Sequence, residues 1–488
     1  MPQRRSRSAR FRSRRLAPVL GSLVLAQTLS GCFIGTEHPD PELEVANRYR
    51  YGPRNADRAL PDLDWWRNFR NAELTSLVEQ AQVANLDIAI AVARIIQADA
   101  QVRIVGAPLL PTIDANANKT RTRASLLPGR TGTPKLVGSR FADLYVANLS
   151  ASYMIDFWGQ NRATMLAAEQ ISIEDRFNRE TAALTTISTV ANTYFQVLGA
   201  QDRLRIARIN LAEAGRVMQV IRDRLAAGTA SQLEIAQQES LLAQVRANIP
   251  PLEITLQQNR IALAVLCGRA PENFTVRGGI LNAVYIPMVT PGLPSDILNQ
   301  RPDVRAAEAK LASTNHSVES AKAAFFPNIQ LTAQNGFQSA ALVALFGPAA
   351  WYYTWTAAVT QPIFDGFLRL GDLELQQGNQ QEALQTYRKS VLSAFSDVEQ
   401  ALIAIEQQTI RERLQAEVVR AAAEAFRLSE QRLREGTVDL TTVVQIEQTL
   451  FTAQDLLSQV RLARLLAIVS LYQALGGGWP PVAGGKPQ

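Results

Sequence analysis

Cysteine and histidine are almost absent from this chain of 488 residues, which contains two of each. The histidines, His38 and His316, are isolated, and no spacing of histidine and cysteine typical of a metal site occurs. A nucleophile elbow and a dinucleotide-binding glycine pattern are also missing. The sequence therefore predicts a protein that is not an enzyme, with no catalytic residues, no metal and no cofactor.

Acidic residues are absent before Glu37, whereas seven arginines lie in the first fifteen residues. An apolar run from Leu16 to Leu29 and the small pair Ser30-Gly31 follow, which is the three-part pattern of a secretory signal. We predict that residues 1–31 are a signal peptide. Its removal changes the formal net charge from +6 to +6 − 7 = −1, so the basic composition does not indicate a nucleic-acid partner.

Cys32 directly follows the signal, and the segment Leu29-Ser30-Gly31-Cys32 resembles a bacterial lipobox. We therefore expect Cys32 to carry lipid and residues 32–62 to form a lipidated arm, with an ordinary cleaved signal as the alternative. Phe33 in the next position favours delivery to the outer membrane. The mature chain has no apolar run of 18 residues, so we expect no helix to cross a membrane. With Cys32 acylated, Cys267 has no intrachain partner, and no disulfide is expected.

Proline is missing between Pro362 and Pro480, and the apolar residues in this stretch recur at helical spacing. The same pattern occurs 208 residues earlier, so that Gly228-Thr229 corresponds to Gly436-Thr437. Each copy is typical of a long helix, a glycine turn and a second helix that runs back. The sequence predicts two helical hairpins with Gly228 and Gly436 at their tips.

Before each helical hairpin the hydrophobic period changes to two. Uncharged polar residues alternate with apolar ones in four segments of about ten residues, which is typical of transmembrane β-strands. Aromatic side chains near the segment ends favour a membrane interface over the alternative of a small soluble sheet; they are Tyr145, Tyr153, Trp158, Tyr353 and Trp355. Four strands leave open edges, so a dimer or a trimer has to close the sheet.

The repeats give the expected domain boundaries. A first strand and hairpin repeat spans residues 63–270, a linker spans 271–302, and a second repeat spans 303–476. Residues 477–488 are expected to form a C-terminal tail.

Together these features resemble the TolC-like outer-membrane efflux proteins, and specifically their lipidated NodT-like branch. The resemblance covers nearly all of the mature chain and includes Trp65-Trp66, Asn85-Leu86-Asp87 and the segment from Arg301 to Glu308. It implies a mainly α-helical homotrimer with a 12-stranded transmembrane β-barrel in the outer-membrane lipid and a long periplasmic α-helical barrel. It further implies an exit duct that passively exports small molecules, with a periplasmic adaptor and an inner-membrane transporter of the resistance-nodulation-division class as partners.

The resemblance also implies a constriction at the periplasmic end, lined by the helix after the second turn. Many family members have an aspartate nine residues after the turn glycine, but this chain has Gln445, with Thr441 one turn earlier. The nearest acids are Asp439 and Glu447, and these two acids together with Thr441 and Gln445 are the candidate aperture residues. A duct for protein secretion and a periplasmic coiled-coil scaffold are the alternative functions.

Overall fold

The computed structural model describes residues 48–52, 62–123, 141–289, 291–292 and 294–477. The described residues divide into two compact units, one comprising 98–123, 141–171 and 311–383, and the other comprising 48–52, 62–97, 172–289, 291–292, 294–310 and 384–477. Within the described ranges, none of the helices combines the length and hydrophobicity needed to cross a bilayer.

Nine α-helices lie in the described part of the chain, and two of them have 67 residues each. In chain order they are α1 (Ala72–Ala84), α2 (Leu86–Gly106), α3 (Gln160–Ala226), α4 (Gln232–Ala247), α5 (Ile249–Leu266), α6 (Pro294–Gln300), α7 (Pro302–Ala323), α8 (Leu368–Arg434) and α9 (Leu440–Ala474). At a rise of 1.5 Å per residue, α3 and α8 are each about 100 Å long.

The first unit contains one antiparallel sheet of four strands in the order β1-β2-β3-β4. The strands are β1 (Thr112–Arg123), β2 (Phe141–Ile155), β3 (Asn328–Ser339) and β4 (Trp351–Thr360). The register places apolar residues opposite apolar ones across the sheet, for example Ile155 with Ile329 and Ile329 with Val359. The four strands predicted from the period of two are therefore confirmed, and the alternation places the two residue classes on opposite faces.

The second unit contains the ends of two helical hairpins, α3 with α4 and α8 with α9. Their shared core contains apolar residues from α3, α8 and α9: Val217, Ile221, Ala422, Phe426, Leu433, Leu440, Val443 and Leu450. A larger core in the same unit surrounds Trp65, whose ring stacks on Tyr472 of α9 with centroids 4.8 Å apart. The helical spacing in the sequence thus reflects burial between helices.

A largely buried guanidinium connects three helices of the second unit. Arg301, just before α7, donates to both carboxylate oxygens of Asp303, to Asp397 of α8 and to the backbone carbonyl of Ala474 at the end of α9. Burial lowers the pKa of Arg301, but the hydrogen bonds and ion pairs with Asp303 and Asp397 together outweigh this effect, so the pKa is raised overall. The sequence alone does not identify this cluster, because Asp397 and Ala474 lie far from Arg301 in the chain.

The returning helix of the first hairpin differs from the prediction of one continuous helix. It ends at Ala247 and restarts at Ile249, with Pro250 and Pro251 at the start of α5. Proline lacks an amide hydrogen and clashes with the preceding helical turn, so it is accepted at a helix start and not in its interior. The corresponding helix α9 continues unbroken for 35 residues.

Candidate functional site

One face of the sheet carries a row of hydrogen-bonded, uncharged polar side chains. Asn116 Nδ2 donates to Ser150 Oγ at 3.1 Å, and Gln330 Nε2 donates to Ser152 Oγ at 3.2 Å. Together they give this face fixed donors and acceptors, with Asp114 as the one charged side chain on it in the described strands, which suits a wet surface.

Gly336 allows a hydrogen bond that crosses a whole strand on the same face. Asn148 of β2 and Tyr352 of β4 both pair with Gly336 of β3, and Asn148 Nδ2 donates to the Tyr352 hydroxyl at 2.7 Å. A Cβ atom at Gly336 would lie 2.3 Å from the carbonyl oxygen of Ala147. Only glycine therefore lets the strands keep this spacing.

The opposite face of the sheet is mostly apolar, apart from charged residues at one end of β1 and β2, and it carries exposed aromatic rings. Tyr353 and Trp355 of β4 are 65% and 74% exposed, whereas Tyr145 and Tyr153 of β2 are half-buried. Trp158 lies after β2: its ring stacks on Phe326 and its Nε1 donates to the carbonyl oxygen of Pro327 at 2.9 Å. Four of the five predicted interface aromatics thus belong to strands, and Trp158 packs beside the end of the sheet.

The two hairpin tips have the same local structure. Gly228 and Gly436 both have φ of +72°, and no atom outside the turn lies within 4 Å of a Cβ built at either glycine. The following threonine amides donate to the carbonyl oxygens of Arg224 and Arg432, which closes each helix with a Schellman motif. Both tips therefore need a residue with a left-handed backbone conformation, and that residue is accessible to a partner.

The start of α9 presents an uncharged exposed face. Thr441 and Gln445 are exposed and lie one helical turn apart, with Gln448 on the same face. Asp439 is the N-cap of α9, and its side chain accepts hydrogen bonds from the amide and the hydroxyl of Thr442. These hydrogen bonds lower the pKa of Asp439, so it is anionic at neutral pH.

Glu447 does not share that exposed face, which corrects its grouping with the aperture residues. It is 0% exposed, and its Oε2 accepts a hydrogen bond from Gln238 Nε2 of α4 at 3.4 Å. Burial raises the pKa of Glu447 to about 7, with a smaller opposing effect of the Gln238 hydrogen bond. Glu213 and Glu430 raise this pKa further, and Arg216, which pairs with both, lowers it.

Two side-chain oxygens in this packed region lack partners. Among the described residues, Glu447 Oε1 and Gln238 Oε1 are buried without a hydrogen bond. A protonated Glu447 has a hydrogen to donate, whereas a carboxylate only accepts. The surroundings thus favour neutral Glu447, which the sequence did not reveal because Glu447 occupies a polar position of the repeat.

Cys267 is the one cysteine among the described residues, and it is buried away from any reactive partner. The predicted lipid attachment residue Cys32 lies outside the described residues. Cys267 is buried, its thiol contacts the carbonyl oxygen of Leu77, and burial raises its pKa to about 11. No group of three histidine, cysteine, aspartate or glutamate side chains suited to a metal ion was found in the described ranges.

A small sheet with one polar and one apolar face, in a chain made mostly of long helical hairpins, is the architecture of an outer-membrane channel. A solved structure of the outer-membrane channel OprN matches this chain with a TM-score of 0.86 and 25% identity, covering 92% of this chain and 100% of that one. The fold class predicted from the sequence is therefore confirmed.

The family is shown by the sequence. The profile of the family described as "Outer membrane efflux protein" matches residues 77–269 and 293–477. The pyoverdine export outer membrane protein OpmQ of Pseudomonas aeruginosa is 38% identical over 459 residues, covering 94% of this chain and 96% of the relative. The probable efflux pump outer membrane protein TtgC of Pseudomonas putida is 29% identical, covering 94% and 96%.

The chain belongs to the outer membrane efflux protein family. It is an outer-membrane channel component of an efflux pump, and it is not an enzyme.

Proposed function

We propose that three copies of this chain form the exit duct of a tripartite efflux pump. The single observation that supports this is the sheet, whose outer edges at β1 and β4 have no strand partner among the described residues. An open edge is costly in hydrocarbon, and three four-stranded sheets joined edge to edge make a closed barrel of twelve strands. The apolar face then contacts lipid and the hydrogen-bonded polar face lines the lumen.

The exposed parts of the helical hairpins supply the periplasmic end of this duct. The tips at Gly228 and Gly436 contact the adaptor, and the Thr441 and Gln445 side chains from three copies line the narrowest point. Asp439 lies at the rim of that opening. Lipid on Cys32 anchors the arm to the outer membrane, and a transporter of the resistance-nodulation-division class supplies the energy.

The cargo is a small molecule that the transporter and adaptor pass on. OpmQ, the relative named for pyoverdine export, covers nearly the whole chain at 38% identity. Pyoverdine and compounds like it are therefore the first cargo class to test, followed by toluene, which is named for another relative at 29% identity.

Measurements of growth and of cargo accumulation in the bacterium that produces this protein test the proposed function. Deletion of the gene for this chain should cause pyoverdine or toluene to accumulate inside cells, and wild-type protein should restore export. A variant with Gly228→Val and Gly436→Val should assemble but fail to restore it. Unchanged small-molecule export together with loss of a secreted protein would contradict efflux and favour protein secretion.

A further inference from the structure

Three positively charged side chains lie in a row near the end of β1. Lys119, Arg121 and Arg123 alternate along the strand, so they share one face of the sheet. That face is the apolar one, because Ile113, Ala115 and Ala117 precede them at the same alternation. We call these three residues the β1 basic row.

Aromatic rings of β2 hold the β1 basic row in place. Lys119 Nζ lies 5.1 Å from the centroid of the Tyr145 ring, and the guanidinium carbons of Arg121 and Arg123 lie 5.0 and 5.7 Å from that of Phe141. Cations above aromatic rings at these distances are attracted to the ring faces. The positions of the three charges are therefore partly fixed before any ligand arrives.

The charge of this region is only partly balanced. Asp143 faces the row, with its Oδ1 3.5 Å from Arg121 Nε, and the other acid of this strand pair, Asp114, lies on the polar face. From Ala124 to Arg140 the sequence contains no aspartate or glutamate. Three positive charges thus stand against one negative charge on this face.

The second strand pair of the sheet provides a contrast. Residues 328–360, which include β3 and β4, contain no charged residue. The exposed Trp351 and Tyr353 occupy its apolar face instead. The basic row is therefore a local feature of the first strand pair and not a general property of the sheet.

We propose that the β1 basic row binds the phosphate groups of lipids in the membrane leaflet next to the β1–β2 connection. This proposal rests on the membrane placement in the proposed function. There the apolar face contacts acyl chains, so charges at its end meet the headgroups. Alternate residues of a strand lie about 7 Å apart, which lets one phosphate accept hydrogen bonds from two neighbouring cations.

Binding of a defined lipid to the purified full-length protein tests this proposal. We would measure the apparent Kd for diphosphoryl lipid A in detergent at low salt by native mass spectrometry, with dephosphorylated lipid A as the second probe. The variant K119Q/R121Q/R123Q should bind diphosphoryl lipid A about 25-fold more weakly, about fivefold for each of the two charges that Asp143 does not offset. Its affinity for the dephosphorylated lipid should equal that of the wild type.

The variant R411Q/R413Q/R420Q removes the same charge from exposed positions of α8 and serves as the matched control. It should bind both lipids as the wild type does. Excess inorganic phosphate at constant ionic strength should displace little lipid, because the acyl chains hold the lipid on the apolar face. Equal binding of diphosphoryl lipid A by wild type and the basic-row variant would overturn the proposal, as would equal wild-type affinity for both lipids. The channel activity of the basic-row variant is measured as well. If activity is retained, a loss of lipid binding is not caused by failure of the proposed channel function.

Discussion

The two helical hairpins have the same tips but differ a few turns away from them. Both tips close with a glycine at φ of +72° and a threonine amide bonded five residues back. Glu239 and Glu447 follow the two glycines at the same distance, yet the Glu239 side chain is 57% exposed beside Arg222 and Glu447 is fully buried. The helix after the first tip breaks at Pro250, whereas the helix after the second is continuous.

This difference shows that position within the repeat determines local geometry but not burial. A turn depends on a few neighbouring residues, and both copies have kept them. Burial depends on what packs against each hairpin, and Glu447 meets Gln238 of α4 and lies near charged residues of α3 and α8. The second hairpin therefore has a buried titratable group, Glu447, whereas the corresponding Glu239 of the first hairpin is exposed.

Introducing the helix break of the first hairpin into the second hairpin should have the largest effect on stability. Ser458 corresponds to Pro250 in the repeat and lies buried in the middle of α9. Ser458→Pro should lower the free energy of unfolding by about 3 kcal/mol or more, because a helical hydrogen bond is lost and the ring clashes with the preceding turn. Pro250→Ala is the control and should change it by less than about 1 kcal/mol. Urea unfolding in detergent measures both, and equal effects would show that the two helices are equivalent.

Titration of Glu447 should have the next largest effect. Its pKa is raised from about 4.5 to about 7 in the folded protein. A group that binds its proton more tightly when folded stabilises the fold fully below pH 4.5, and this stabilisation is lost as the pH rises through 7. Stability should therefore fall by about 3 kcal/mol across this window.

Glu447→Gln should remove that pH dependence, and Glu239→Gln should leave it unchanged. The thermal unfolding midpoint measured from pH 4 to 8 reports both. A wild-type midpoint that stays flat, or one that rises across this range, would show that Glu447 is solvated and charged.

Valine at the tip glycines should have a smaller effect that is equal in the two hairpins. A β-branched residue at positive φ costs on the order of 1 to 2 kcal/mol. Gly228→Val and Gly436→Val should therefore lower stability by similar amounts while the protein still assembles. Unequal losses measured by urea unfolding would mean that one tip makes contacts that the other does not.

A charge at the start of α9 should leave stability nearly unchanged and alter conduction. Gln445 is exposed, so Gln445→Asp should change the free energy of unfolding by less than about 0.5 kcal/mol. Three added carboxylates at a constriction attract multivalent cations, so block by a trivalent cation should become strong and should increase at low salt. Strong block in the wild type would place a native carboxylate in the lumen instead.

Sequence patterns were sufficient for much of this fold. Hydrophobic periods of 2 and 3.6 and one repeat offset predict the four strands, the two hairpins and both tip glycines. They do so because the period of an amphipathic element shows which of its sides is buried. The break at Pro250 was also readable, since two adjacent prolines rarely occur inside a helix, but the repeat pattern concealed it.

Contacts between distant segments were not readable from the sequence. The Arg301 cluster, the Asn148 to Tyr352 hydrogen bond across Gly336, and the burial of Glu447 all join residues far apart in the chain. A single sequence gives polar positions but not their partners. The faces of α9 could be assigned only once its neighbours were known.

Single-channel recording tests the assignment as an exit duct most directly. Purified wild-type protein in a planar lipid bilayer should give discrete current steps of small conductance, because the periplasmic end is closed at rest, with weak block by trivalent cations from that side. Detergent-extracted protein that runs as a monomer and gives no steps in the bilayer would contradict it.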